Sequence, residues 1–414
     1  MIFNENNYLL IVDYIIVIFI ILFGIVCGVI TGLFPGLHPN LIASLITSYS
    51  LYLLGFFEIK IIIIFIISMS ITNAFINFIP SIVFGIPDEN TTISVLPGMK
   101  MMLEGNGYEA IFLSTIGSFF GIIFVIIISP LLFLFLKSTY EYAQKFIPYL
   151  LIFVIIFLIL SEESLNNKFW AFIITCFSAG LGMLILNSNI FENNLMVIFT
   201  GVFGLSGLIY SLYEKQNKMP KQEINFNFKF EKNIFKAIFV GGISSTICSI
   251  SPGLGNAQAA SISSIFFKDI KSRLYIIVTS SINTIDFAIS IIAFYLIERA
   301  RNGSVYAISQ INPQITFNEL IAYLTLILIV SIISFFLTLF IGKNILKIIE
   351  KVNLKIMNIC LIVILIILVY LMSGSFAILA LICCTFLGIL CISLEIRRVH
   401  LMAILLVPVI INLI

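Results

Sequence analysis

Charge is what this 414-residue chain has least of: 22 Lys and Arg and 20 Asp and Glu make up only 10% of it, against roughly a quarter in soluble domains. That scarcity excludes a water-soluble globular surface. The net charge of +2 leaves no basic face for nucleic acid. The seven cysteines (Cys27, Cys176, Cys248, Cys360, Cys383, Cys384 and Cys391) form no CxxC pair and have no histidine at ligand spacing. They read as packing residues in apolar runs, not as a zinc or disulfide framework. HExxH, paired aspartates in a GxGD setting and a Ser-His pair on one face are all missing. The chain is therefore not expected to be an enzyme or to hold a cofactor, and a coupling Na⁺ or proton is the only ion expected.

What fills the chain is hydrophobicity, 61% by composition with a mean hydropathy of +1.18. Apolar runs of about 18 residues or more match the length a helix needs to cross a ~30 Å hydrocarbon core. The expected fold is an all-α integral membrane protein with about 10–12 transmembrane helices, multi-pass in the cell membrane. Candidate spans are 8–33, 59–84, 110–136, 146–160, 169–186 and 195–212, then 234–250, 274–297, 320–341, 356–372, 376–394 and 399–414. Tyr8 to Leu33 carries no cationic leader and no small-residue cleavage site, so it reads as a retained helix. The polar stretch 214–233, with Lys215, Lys218, Lys221, Lys229 and Lys232, reads as a solvated connection between a first half, 1–213, and a second half, 234–414. Lys and Arg divide almost evenly between alternate sides, which leaves the orientation open, along with the choice of parallel or inverted halves.

One motif recurs half a chain apart. Gly32-Leu33-Phe34-Pro35-Gly36-Leu37-His38-Pro39-Asn40 and Ser251-Pro252-Gly253-Leu254-Gly255-Asn256 each place Pro-Gly-Leu and then an asparagine after a Gly/Ser-spaced helix. Pro removes a backbone donor and Gly permits φ > 0, so each pair ends a helix and frees polar backbone groups. Such groups cannot face lipid. Breaks at matching positions of two repeats are where secondary transporters bind substrate and coupling ions. The two repeats are thus each expected to carry a re-entrant or broken Pro-Gly helix, near 34–55 and 251–267. Helix N-termini beyond the breaks favour an anion, with Asn40 and Asn256 as amide donors.

A polar stripe follows each break: Ser68, Ser70, Thr72, Asn73 and Asn77 in one half, and Thr279, Ser280, Ser281, Asn283, Thr284 and Asp286 in the other. Asp286 is the one carboxylate deep inside a span, and an intramembrane ionisable group is a functional candidate because leaving it charged in lipid is expensive. It is the expected ion-coupling residue. The expected substrate-binding set is Pro35, Gly36, Asn40, Asn73, Pro252, Gly253, Gly255, Asn256, Asn283, Thr284 and Arg299, whose guanidinium could fork onto a carboxylate. Serines and threonines in such stripes serve equally as interhelical glue. Lys100, Glu104, Glu109 and Lys137 read as interfacial anchors, and so does His400 beside Arg397 and Arg398.

At these motifs, and at Gly85-Ile86-Pro87, Leu96-Pro97-Gly98, Gly105-Asn106-Gly107-Tyr108-Glu109-Ala110 and Gly201-Val202-Phe203-Gly204-Leu205-Ser206-Gly207-Leu208, the chain resembles the TctA family. This is the large membrane subunit of tripartite tricarboxylate transporters, and the match looks like its archaeal branch. The resemblance implies a permease that moves a small organic anion, a di- or tricarboxylate, on an ion gradient. It also implies a small membrane subunit and an extracytoplasmic solute-binding protein as partners. A polyprenyl-phosphate or other lipid-linked anion translocase is the alternative, because such carriers also use Pro-Gly segments in internal repeats.

Overall fold

The computed structural model describes residues 5–34, 39–48, 50–85, 95–186, 194–213, 220–224, 232–250, 256–265, 272–300, 302–349 and 354–414. Among the described residues the chain is all helix and turn, with no strand. In the first half the helices are α1 (Glu5–Leu33), α2 (Pro39–Ser48), α3 (Ser50–Leu53), α4 (Ile59–Ile76), α5 (Phe78–Phe84), α6 (Val95–Leu103), α7 (Gly107–Leu160), α8 (Leu165–Leu186), α9 (Asn194–Phe199) and α10 (Ser206–Tyr213). A π-helical turn, Thr200–Leu205, joins the last two. In the second half they are α11 (Lys232–Ile250), α12 (Asn256–Ile265), α13 (Ser272–Ile297), α14 (Gly303–Ile311), α15 (Phe317–Ile349), α16 (Leu354–Ser373), α17 (Ala377–Ser393) and α18 (Ala403–Leu413), which follows a 3₁₀ turn at Arg398–Met402.

Six of these segments are long and apolar enough to cross a membrane: Ile15–Leu33, Ile59–Phe84, Gly107–Ser138, Leu165–Leu186, Ser272–Ile297 and Phe317–Ile349. Six shorter apolar helices accompany them, so the expectation of an all-α membrane protein holds. The 110–136 and 146–160 runs are not separate helices; both lie in the continuous α7, with Pro130 and Pro148 inside it. The polar residues from Lys137 to Lys145 break the hydropathy but not the backbone, because Lys, Glu and Gln are good helix formers.

Small residues set how the helices approach one another. A methyl on Gly24 would lie 2.8 Å from Ser68 Cβ, one on Gly28 2.6 Å from the Met69 carbonyl, and one on Gly32 2.8 Å from the Ile76 side chain. Glycine is required for this close backbone approach, the small-residue packing typical of membrane helices. Because 24, 28 and 32 meet 68, 69 and 76 in order, α1 and α4 run parallel. The second half repeats this relation. Ser245 donates to the Ile282 carbonyl at 3.1 Å and Ser249 to Asp286 at 2.8 Å, so α11 and α13 also run parallel.

Two parallel neighbours need a return between them. Gly32 lies level with Ile76, some 17 residues along α4 from its start at Ile59, or about 25 Å at ~1.5 Å per residue. The link between α1 and α4 runs through the 34–58 stretch, which holds α2, and the link between α11 and α13 through the 251–271 stretch, which holds α12.

Across the halves, α7 lies parallel to α13, with Glu109 paired to Arg273 at their starts (2.9 Å) and Ser118 accepting from Thr284 further along (2.8 Å). Glu109 is thus a buried ion-pair partner and not a free interfacial anchor. α15 lies parallel to α4: Glu319 near its start faces Lys60 near the start of α4, and further along Ser334 donates to Thr72 at 3.0 Å. α7 and α15 run antiparallel, as Phe119 against Phe335 and Phe133 against Phe317 show. It follows that the α1/α4 pair runs opposite to the α11/α13 pair. The described part of the connection between the halves is docked: Gln222 is buried, accepts from Gly107 N (2.8 Å) and donates to the Met102 carbonyl (3.0 Å).

Candidate functional site

The site grows from the two most enclosed spans. The apolar window of α13 is 94% buried and that of the α4–α5 span 72%, against 28% for α1, so α4 and α13 form the centre while the others turn apolar faces to lipid. Two apolar cores meet on these helices. One takes Ile62 to Phe75 of α4 and Ile285 to Phe294 of α13; the other takes Ile76 onward and Ile276 to Ile282. Between them runs a polar band of Asn73, Asn77, Asn283 and Thr284, all buried.

Within the band the bonds cross between halves. Asn283 Nδ2 donates to the Ala74 carbonyl at 3.1 Å and to Asn77 Oδ1 at 3.4 Å. Asn256 Nδ2, at the start of α12, donates to Asn283 Oδ1 at 3.3 Å. Asn73 Nδ2 reaches Thr31 of α1 at 3.2 Å. Thr284 is turned to α7, where its hydroxyl donates to the Ser118 carbonyl. Of the expected residues the structure therefore brings Asn256 and Asn283 into one network, with Asn73 and Thr284 in the adjoining turns of the same helices. Asn77, one helical turn beyond Asn73, is the member that sequence reasoning left out of the binding set, although it lies in the same stripe.

One turn along α13, Asp286 is half-buried and faces α11 and the start of α14. Ser249 Oγ donates to Oδ1 at 2.8 Å and Asn302 Nδ2 to Oδ2 at 3.1 Å. Asn302 also caps α14, accepting from Ser304 N at 3.0 Å. The expected ion-coupling residue thus sits beside the helix that ends at the second break. Arg299 lies apart from this network: it is exposed, with its guanidinium 5.4 Å from the centre of the Tyr140 ring. Pro35, Gly36, Pro252, Gly253 and Gly255, with His38, lie outside the described residues, as does the side chain of Asn40.

The sequence profile of the tripartite tricarboxylate transporter TctA family matches residues 18–403, nearly the whole chain. The chain belongs to the TctA family. It is also similar to an uncharacterized protein of Methanocaldococcus jannaschii, 34% identical over 321 residues, covering 76% of this chain and 78% of that relative. No solved structure matches it. As a TctA-family chain it is a multi-pass membrane component of a transporter, and the polar band between its halves is the candidate site.

A second buried polar cluster lies elsewhere in this TctA-family chain. Glu162, just past α7, accepts from Arg397 Nε at 2.6 Å and contacts His400 Nε2 at 2.8 Å. Burial pushes the Glu162 carboxyl up, but the His400 and Arg397 hydrogen bonds and charges outweigh it and hold it below the usual carboxylate range. His400 is thus buried within the protein. The cluster ties α7 to the turn before α18, and Arg398 donates to the Phe203 carbonyl in the π-turn at 3.3 Å.

Proposed function

We propose that this chain is the permease of a secondary transporter that moves a small di- or tricarboxylate across the cytoplasmic membrane, driven by a Na⁺ or proton gradient. The observation that carries the reading is the hydrogen-bonded set of amides from both halves, buried where two apolar cores meet. Neutral donors suit a carboxylate, whose oxygens accept several hydrogen bonds without a fixed cation beside them. Asp286 is the coupling group: binding of Na⁺ or a proton there neutralises a carboxylate near the anion path, which links ion and substrate energetically.

In this reading the two halves are inverted repeats. The opposed directions of α1/α4 and α11/α13 support it, together with the exchange in which α7 packs on α13 and α15 on α4. Movement of one repeat against the other around the band then supplies alternating access. A small membrane subunit and an extracytoplasmic solute-binding protein, as the family's tripartite description implies, complete the system.

The lipid-linked anion alternative would favour a lateral groove opening onto the site. An apolar groove of about 530 Å³ does lie between α1, α4 and α15, with Lys60 and Glu319 in it, but it reaches along α4 only to Ile64. That is about 13 Å short of Asn73 at ~1.5 Å per residue. The carboxylate reading is therefore preferred.

The test is uptake of a radiolabelled panel (citrate, tricarballylate, succinate, malate) into proteoliposomes under imposed Na⁺ or proton gradients, with the wild type and Asp286→Asn, each with and without the partner subunits. Gradient-driven uptake by the wild type, with the gradient dependence lost in the variant, is expected. No uptake of any member with the partners present would overturn the reading.

A further inference from the structure

The amides of the polar band are strung in one direction. Asn256 donates to Asn283, Asn283 donates to Asn77, and the string ends on Asn77 Nδ2, which is buried and has no hydrogen-bond partner. Asn77 is only 5% exposed, and a buried donor left unsatisfied forfeits its hydration without recompense, so the unpaired N–H needs a physical reason. Turning the amide over does not fill it. That would set two NH₂ groups against each other across the 3.4 Å contact with Asn283, whose own orientation is fixed by the Ala74 carbonyl. Asn77 also stands where the span is interrupted, between α4 and α5. Three residues on, Pro80 has no N–H to give the Ile76 carbonyl.

We infer that Asn77 Nδ2 is the donor that meets a carboxylate oxygen of the substrate, and that the Asn256–Asn283 string orients it. The inference rests on the carboxylate-permease reading and deepens it by naming a contact atom. A chain of amides polarises its terminal N–H, so the open end is a better donor than an isolated asparagine. The string also includes Asn256, the first residue of α12. Substrate held at Asn77 is thereby connected through two side chains to α12 of the opposite half.

The experiment compares citrate uptake kinetics of the wild type with Asn77→Asp and Asn77→Leu in proteoliposomes, alongside the thermal shift that citrate produces in each purified protein. Asn77→Asp keeps the shape and the acceptor for Asn283 but puts a carboxylate oxygen where the donor was; Asn77→Leu removes the amide. Both are expected to raise KM about tenfold or more and to shrink the citrate-induced shift, with Vmax changed less and the ligand-free melting temperature of Asn77→Leu unchanged or raised. A structural role would instead lower ligand-free stability and leave KM in place. If the wild type transports citrate and both variants keep its KM, the inference is overturned while the permease reading stands. If the wild type neither transports nor is stabilised by any carboxylate, the reading falls and this inference falls with it.

Discussion

Asp286 and Glu162 are both acidic residues in apolar surroundings, yet their partners give them different work. Asp286 accepts hydrogen bonds from Ser249 and Asn302, two neutral donors from other helices, and in the proposed mechanism it is the group that takes the coupling ion. Asp286→Asn is expected to keep the fold and remove the gradient dependence of uptake, read as equal initial rates with and without the gradient. Glu162 is instead consumed by Arg397 and His400. A carboxyl held below its unfolded value contributes stability that is full above the unfolded pKa, about 4.3, and is lost as pH falls through the folded value. Thermal melts should therefore hold steady on the acid side of neutrality and fall only below about pH 4. Glu162→Gln should lower stability at pH 7 by about 1–2 kcal/mol, Arg397 being half-exposed and screened, and flatten that acid-side loss. A Glu162→Gln melt with the wild-type acid profile would contradict the assignment. Sequence alone exposed Asp286 through its depth in a span; it did not expose Glu162, because its partners lie more than 230 residues away.

At the scale of elements, glycine spacing decides which helices touch. Gly28 meets the Met69 backbone at a distance no side chain tolerates, so Gly28→Leu should destabilise the α1–α4 pair by about 2 kcal/mol or more. The melting temperature of the purified protein would show it. Parallel packing of α15 on α4 has its own check: cysteines in place of Thr72 and Ser334, whose hydroxyls are 3.0 Å apart, should give a linked peptide pair on oxidation. The same cysteines failing to link while the protein remains folded would reject the packing. The spans and the small-residue faces were readable in the chain, since period and size need no partner to be seen. The continuity of α7 was not, because Lys137 to Lys145 read as a loop by hydropathy while their helix propensity carries the backbone straight through. The docking of Gln222 was equally invisible: a polar residue in a polar stretch carries no sign of what it will bind.

For the whole molecule, the recurring Pro-Gly motif suggested two halves in the sequence, but the charge balance was silent on how they would face each other. Their opposed direction emerged only from pairings such as Ser334 with Thr72 and Ser118 with Thr284. That arrangement underlies the proposed single substrate site assembled from both halves. The most direct measurement is the KM for citrate uptake in two single variants from opposite halves, Asn73→Ala and Asn283→Ala. A rise in KM for the same substrate in both is predicted, by about fivefold or more for the loss of a buried hydrogen-bonding group. A variant pair in which only one half affects KM, or neither does while the protein still transports, would contradict the shared site.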